Sequence, residues 1–502
     1  MAKALMIQGT MSNAGKSVVA AGFCRILHQD GYKVAPFKAQ NMALNSFITR
    51  QGAEMGRAQV VQAEAAGLEP DVLMNPILLK PTSDVGSQVI VNGKAIGTMQ
   101  AAEYYAYKNK LRPLVLKAYE QLAQKNDIIV LEGAGSPVEI NLQENDLVNM
   151  GMAKMAQAPV LLVADIDRGG VFASVLGTIM LLSPEERTLV KGVIINKFRG
   201  DVSILQPGLK ALEERINIPV LGVLPMLQLD IDDEDSLSDR LNKEQEIKAI
   251  DIAVIRLPKI SNYTDFNNFS RLAGVSVRYI ASAIELKQPD LIILPGTKNT
   301  IADLLWLRQN GLEAALKKQA AQGVPIFGVC GGYQMLGKVI ADPLGIEAGG
   351  TVEGLALLPV ETVFDRQKRT VQSKGRFAKV QGIFSELTGK ACTGYEIHAG
   401  VTKNLADCFL TELGQDEQIL EGAQKVDKVY NVYGSYCHGM FESSEIVQII
   451  VAALMKHKGL TPEQVRLSNW QEYKEQQYDK LAAALRLSID MKQVYKIIRE
   501  GI

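Results

Sequence analysis

The sequence predicts an α/β protein built from two doubly wound domains. Two observations carry this. Short runs rich in β-branched residues alternate with longer amphipathic stretches, and many of those runs are apolar at successive positions rather than at every second one. A strand buried on both faces of a parallel sheet reads that way. The pattern also stops after residue 226 and restarts at Asp251, so one sheet gives way to another.

In chain order, "ALMIQG", "KVAPFK", "DIIVLEG", "APVLLVAD", "VKGVIINKF" and "IPVLGVLPM" are the strands expected in the first domain. Helices are expected between them, among them 16–29 and 103–125. The segment "LDIDDEDSLSDRLNKEQEIK" is acidic and polar, as a surface linker is. "DIAVIRL", "VSVRYI", "DLIILPG" and "VPIFGVCGG" restart the strand pattern. "GLALLPVETVF" and "FAKVQGIF" read as further β-structure, and a helical tail follows residue 443. The expected division is a synthetase domain at 1–228, a linker at 229–250, a second domain at 251–445 and a tail at 446–502.

A chain of 502 residues is long for a single core, which agrees with that division. Hydrophobic content is 47%, charged content 22% and formal net charge −1. No global field favours nucleic acid or an anionic membrane. No apolar run is long enough for a membrane span, and the start lacks the apolar core of a signal peptide. Five cysteines without paired spacing argue against a disulfide framework and for a reducing, cytoplasmic setting. The oligomeric state is not legible.

"MIQGTMSNAGKSVVAAGF" is a strand, a small-residue loop and a helix. Backbone N–H groups and a helix N-terminus in that order cradle phosphates. Gly15, Lys16 and Ser17 supply the core of the motif, with Lys16 a mobile positive charge and Ser17 a ligand for Mg²⁺. Thr10 stands where the usual first glycine would be, and Gly9 lies one residue earlier, so the loop is a variant. Glu132, ending "DIIVLE", is placed to hold Mg²⁺ over the phosphates. Asn196 in "IINKFRGD" can both donate and accept, as a purine edge requires. These loops, with "EGAGSP" and "PVLGVLP", resemble the dethiobiotin synthetase-like ligases, which use ATP to phosphorylate a carboxylate that a nitrogen nucleophile then attacks.

In "GVCGGYQM" (328–335), Cys330 sits between glycines at a strand-to-helix turn, the setting of a nucleophile elbow. N–H groups at Gly331 and near Gly296 can stabilise an oxyanion there. A thiol needs a base, and the sequence has four histidines. His28 and His457 read as surface residues. His398 in "GYEIHAG" and His438 in "YGSYCHGMF" remain, and His438 is the choice. Cys437 beside it should point away by strand alternation. The pair resembles class I glutamine amidotransferases, in which Cys and a distant His hydrolyse glutamine. Many of those carry Glu two residues after the histidine. Met440 is there instead, and nothing in the sequence shows that Glu442 can reach.

"KAQNMALNSFIT", "EMGRAQVVQAEAAG", "MNPILLKPTSDVGSQVIVNG" and "CHGMF" narrow the resemblance to the corrinoid amidotransferases of cobalamin biosynthesis. It implies the substrates ATP, L-glutamine and a corrinoid diamide. It further implies amidation of the b, d, e and g carboxylates of adenosylcobyrinic acid a,c-diamide. Gln40, Asn41 and Asn45, amides where the sister a,c-diamide synthases carry carboxylates, favour the four-fold branch and suit hydrogen bonding to corrin side chains. Lys80 and Gln88 are expected to act similarly. The alternatives are the a,c-diamide synthase itself, or a regulatory P-loop ATPase with a degenerate amidotransferase module.

Overall fold

The computed structural model describes residues 2–82, 86–232, 246–405, 407–413, 418–461 and 470–502. In the first half, six parallel strands stand in the order Val220–Pro225, Val190–Phe198, Val160–Asp165, Lys3–Gly9, Ile128–Glu132, Val34–Phe37. Successive residues of Lys3–Gly9 enter different cores: Ala4 and Met6 pack on one face, Leu5 and Ile7 on the other. Two-sided burial is why the run lacks polar alternation. The phosphate loop, Glu132 and Asn196 all lie at the carboxyl ends of these strands, where open α/β sheets bind ligands.

The helix Lys16–Gln29 covers one face of this sheet, and the end of the chain returns to complete that layer. Helices Trp470–Ser488 and Met491–Glu500, with Ile489 between them, bury Tyr478, Leu481, Leu485, Ile489, Val494, Ile497 and Ile498 there. At about 1.5–3 kcal/mol for each large apolar side chain, docking is strongly favoured. The approach is close. A Cβ on Gly22 would lie 2.6 Å from Leu485 Cδ2, and one on Gly222 would lie 2.0 Å from the Ser488 carbonyl oxygen. The helical stretch expected at 446–502 divides between the two halves. Helix Ser444–His457 packs in the core of the second half, and the last two helices belong to the first.

Between the halves lies a small sheet, Gln40–Met42, Ile77–Pro81, Gly86–Val91 and Lys94–Gln100, with the pair Ser46–Ile48 and Glu54–Gly56 beside it. Of the acidic segment expected at 229–250, residues 233–245 lie outside the described residues. Its start is packed rather than solvated: Asp232 takes Arg57 Nη2 at 2.7 Å and Asp230 takes Arg271 Nε at 2.6 Å.

The second half has the strand order Val275–Ile280, Ile250–Ile255, Leu291–Leu294, Ile326–Val329, Asn431–Ser435, Ala423–Val426. All neighbours are parallel except the last pair. A separate sheet is built on the long antiparallel pair Val360–Phe377 and Ala391–Asn404. The strand expected through "FAKVQGIF" ends at Phe377. Gly382 turns the chain with φ +67° into a 3₁₀ segment, Gly382–Leu387, and the apolar residues Val380, Phe384 and Leu387 are buried without pairing. Among the described residues no helix is long and apolar enough to cross a membrane.

Candidate active site

The phosphate loop closes on itself. Gly15 has φ +97°, and a Cβ there would lie 2.1 Å from Asn196 Nδ2, so only glycine fits. Asn196 Nδ2 donates to the Ala14 carbonyl at 2.9 Å, and its Oδ1 accepts from the Lys197 N–H. Its amide therefore buttresses the loop, where the sequence suggested a purine contact. Lys16 is buried, with Nζ donating to the carbonyls of Met11 and Gly135 at 3.1 and 3.2 Å. Thr10 is buried, and among the described residues its Oγ1 has no hydrogen-bond partner.

Ser17 Oγ donates to Glu132 Oε1 at 2.8 Å. The same carboxylate accepts from Lys38 Nζ at 2.9 Å and Gln62 Nε2 at 2.6 Å. Among the described residues no group of three or more His, Cys, Asp or Glu side chains could hold a metal. A hydroxyl and one carboxylate beside a phosphate loop nevertheless fit Mg²⁺, which takes few protein ligands and completes its shell with phosphates and water.

Cys330 lies between the strand Ile326–Val329 and the helix Gly331–Leu336 at φ +52°, ψ −109°. That conformation is strained for a residue with a Cβ. It is held because the chain on either side is packed without slack: a Cβ on Gly332 would lie 2.0 Å from the Leu294 carbonyl oxygen, and one on Gly328 would lie 2.8 Å from Gly332. The elbow leads into the first turn of a helix, whose N–H groups have no acceptor within the helix. A Cβ on Gly296 would lie 2.9 Å from His438 Cε1, which places that backbone against the imidazole.

His438 is buried, and its Nδ1 lies 2.8 Å from Asp265 Oδ2. The other oxygen of Asp265 accepts from the Gly439 N–H at 3.2 Å. Tyr395 stacks on the ring, 5.4 Å between centroids. Burial opposes charge on His438, but the Asp265 carboxylate and the Cys330 sulfur outweigh it and push its pKa up from 6.5 to about 10. The position left open by Met440 is filled by Asp265, from a short 3₁₀ segment far earlier in the chain. Glu442 binds Arg57 instead, at 3.0 Å.

Asp265→Asn removes the charge that keeps His438 protonated, while burial still disfavours the imidazolium. Glutamine hydrolysis should fall by about 10²–10⁴. The alkaline limb of its pH profile should move down towards neutrality, and ammonia-driven synthesis should not change. A pH–rate series on the wild-type enzyme and Asp265→Asn measures the shift.

Cys330, His438, Gly331 and His398 line one cavity of about 840 Å³ between the halves, ample for an amino-acid substrate. His398 stacks on Tyr436 at 3.6 Å and holds Glu396 and the Gly400 carbonyl, so it is a wall residue. Cys437 points away, with a Cβ on Gly394 only 2.5 Å from its sulfur. His28 lies against Gly67, and His457 lies in the last turn of Ser444–His457; neither lines this cavity.

Lys80 and Gln88 also line this cavity, on the glutaminase side of the small sheet. Lys80 Nζ donates to Glu54 Oε1 at 2.9 Å and Ser46 Oγ at 3.0 Å. Gln88 Oε1 accepts from Lys298 at 3.0 Å. Burial opposes the charge on Glu54, yet the ammonium groups of Lys368 and Lys80 hold it well below the usual carboxylate range. Of the three amides, Gln40 is half-buried and accepts from Tyr104 at 2.6 Å. Asn41 is buried and donates to Gln59 Oε1 at 3.0 Å. Asn45 is fully buried, and among the described residues neither atom of its amide has a hydrogen-bond partner.

A parallel-sheet phosphate site facing a Cys–His pocket across one interface is the plan of a glutamine amidotransferase joined to a nucleotide-binding domain. Both halves match family models separately: a CobQ/CobB/MinD/ParA nucleotide binding domain over residues 5–237, and a CobB/CobQ-like glutamine amidotransferase domain over 251–446. Whole-chain relatives narrow this further. The chain is 58% identical to a cobyric acid synthase of Ruminiclostridium cellulolyticum, with 100% of this chain and 98% of that one covered. It is 56% identical to one of Lachnoclostridium phytofermentans (100% of each covered) and 51% identical to one of Streptococcus sanguinis (99% of each). The chain belongs to the cobyric acid synthase family of cobalamin biosynthesis.

Proposed function

We propose that this chain makes cobyric acid by amidating the b, d, e and g carboxylates of adenosylcobyrinic acid a,c-diamide, with one glutamine and one ATP for each amide. The observation that carries this is the joining of the two sites in one chain: the elbow at Cys330 with His438, and the Lys16–Ser17–Glu132 set.

At the first site the Cys330 sulfur attacks the glutamine amide carbon. N–H groups of Gly296 and Gly331 hold the oxyanion. His438, oriented by Asp265, donates a proton to the leaving nitrogen, which departs as ammonia. Water then cleaves the thioester to release glutamate. At the second site Lys16 and the loop N–H groups orient the terminal phosphate of ATP towards a corrinoid carboxylate. The acyl phosphate so formed loses phosphate when ammonia attacks its carbon, giving the amide. Ser17 and Glu132 would hold Mg²⁺, which when bound offsets phosphate charge. Gln40, on the open edge of the small sheet, is the amide available to corrin side chains, with Asn41 and Gln59 behind it.

Mass spectrometry of the product from purified enzyme, ATP, glutamine and the diamide tests the assignment. Addition of four amides is expected. A product unchanged from the diamide would overturn it, and so would conversion only of the acid to the a,c-diamide.

A further inference from the structure

The cavity of Cys330 carries charges that thioester chemistry does not use. Lys80, Lys298 and Lys368 all line it. Lys80 Nζ donates to Glu54 Oε1 at 2.9 Å, and Lys368 Nζ donates to Glu54 Oε2 at 2.8 Å. One carboxylate thus serves two ammonium groups. Lys298 is left out of this arrangement. Its Nζ donates to the neutral Gln88 Oε1 at 3.0 Å, and among the described residues it has no ion pair. Gln88 comes from the strand Gly86–Val91 of the small sheet, so the acceptor belongs to the other half of the chain.

Lys298 stands next to the reacting atoms. A Cβ on Gly331 would lie 3.1 Å from the Thr297 nitrogen and 3.3 Å from Thr300 Oγ1, so the backbone on both sides of Lys298 runs against the elbow. The Cys330 sulfur is within electrostatic reach of Lys80, which neighbours Lys298. Burial, then the charges of Lys368 and Lys80, holds Lys298 below the usual range of a lysine. Glu347 Oε2 accepts from the Thr300 N–H at 2.5 Å, and burial raises this carboxyl above the usual carboxylate range against the pull of Lys298. A ligand that brings one charge of each sign would relieve both groups, and an amino acid is such a ligand. Its α-carboxylate would replace a neutral acceptor on Lys298 with a charge-assisted bond.

We propose that Lys298, held in place by Gln88 of the synthetase half, binds the α-carboxylate of glutamine while the side-chain amide reaches Cys330, so that both halves take part in glutamine recognition. This rests on the amidotransferase reading above. It also gives Gln88 a role apart from the corrinoid. The amide is the right partner in the empty site: it orients the ammonium, yet gives way to a carboxylate more readily than an ion pair would.

The test measures ammonia released from L-glutamine and from L-glutamine α-amide, which keeps the side-chain amide but has a neutral group in place of the α-carboxylate. Wild-type kcat/KM should be at least about tenfold lower for the α-amide. Lys298→Met should raise the KM for L-glutamine about ten- to a hundredfold, leave kcat and ammonium-driven amidation within about twofold, and abolish the preference between the two substrates. Gln88→Glu gives Lys298 a permanent carboxylate partner and adds an ion pair between the halves, yet it should also raise the glutamine KM about tenfold. A purely structural contact would not respond in that direction. This variant decides the matter alone if Lys298→Met has lost ammonium-driven amidation and is misfolded. An unchanged KM in the folded variants would overturn the proposal. A fall in kcat at constant KM would overturn it in favour of Lys298 shaping the oxyanion backbone. Equal loss of both nitrogen routes in Gln88→Glu, with a raised corrinoid KM, would overturn it in favour of acceptor binding. Wild-type enzyme that releases no ammonia from glutamine would instead refute the amidotransferase reading itself.

Discussion

Cys330→Ala should abolish glutamine-driven amidation and leave ammonia-driven amidation at the wild-type rate. Among the described residues that line the cavity, Cys330 is the one thiol, so its loss should lower the glutamine-driven rate by at least about 10³. The backbone gives no reason for misfolding. Alanine keeps the Cβ, so the strain at φ +52° is the same, and the glycines that hold the turn are untouched. The synthetase site has no bond to the sulfur. Besides facing His438, the sulfur meets the Ile397 carbonyl at 3.7 Å, a weak contact whose loss costs little. Amide formation with each nitrogen source, followed by mass spectrometry, reads the split. Full activity with glutamine would remove Cys330 from the mechanism, and loss of both routes would mean that the sulfur supports the interface.

Much of this was legible because the signals were local. Strands apolar at consecutive positions announced two-sided burial, and Lys3–Gly9 does divide its side chains between two cores. The elbow was legible because its demands fall on adjacent residues: Gly328 and Gly332 are needed for contacts that any Cβ would break. What escaped depended on distant segments meeting. Asp265 reaches His438 from 173 positions away. Its one signal was composition, a polar run "SNYTDFNN" where the strand pattern called for a turn. The structure buries Ser261, Asn262, Thr264, Asp265, Asn267 and Asn268 there. The last helices carry an ordinary amphipathic pattern, which shows that a face will be buried but not against what. Lys80 and Gln88, in the stretch "MNPILLKPTSDVGSQVIVNG", were expected to act on the corrinoid as Gln40, Asn41 and Asn45 do. Alternation across the small sheet turns them to the glutaminase cavity.

Lys16→Ala should stop amidation with either nitrogen source, because both routes need the acyl phosphate. The lysine is held ready over the loop, Nζ on the carbonyls of Met11 and Gly135. Those are neutral acceptors that phosphate oxygens can replace with stronger, charge-assisted bonds. Removing the ammonium should cost about 10²–10⁴ in amide formation, the scale of one preorganised charge on a transition state in a water-excluded site. The loop itself should persist, since Gly15, Asn196 and the Ala14 carbonyl shape it without the lysine side chain. Basal glutamine hydrolysis should survive, because Cys330 and His438 lie on the other sheet. This variant thus mirrors Cys330→Ala: one loses the nitrogen source and keeps activation, the other loses activation and keeps the nitrogen source. Lys16→Arg should not rescue it, as a planar guanidinium cannot occupy the place of a compact ammonium between two carbonyls of a closed loop. Ammonia-driven turnover persisting in Lys16→Ala would show that the phosphates lie elsewhere. Mixing the two variants separates the steps further. If ammonia crosses only inside one chain, the mixture should amidate with glutamine no faster than the free ammonia in solution allows.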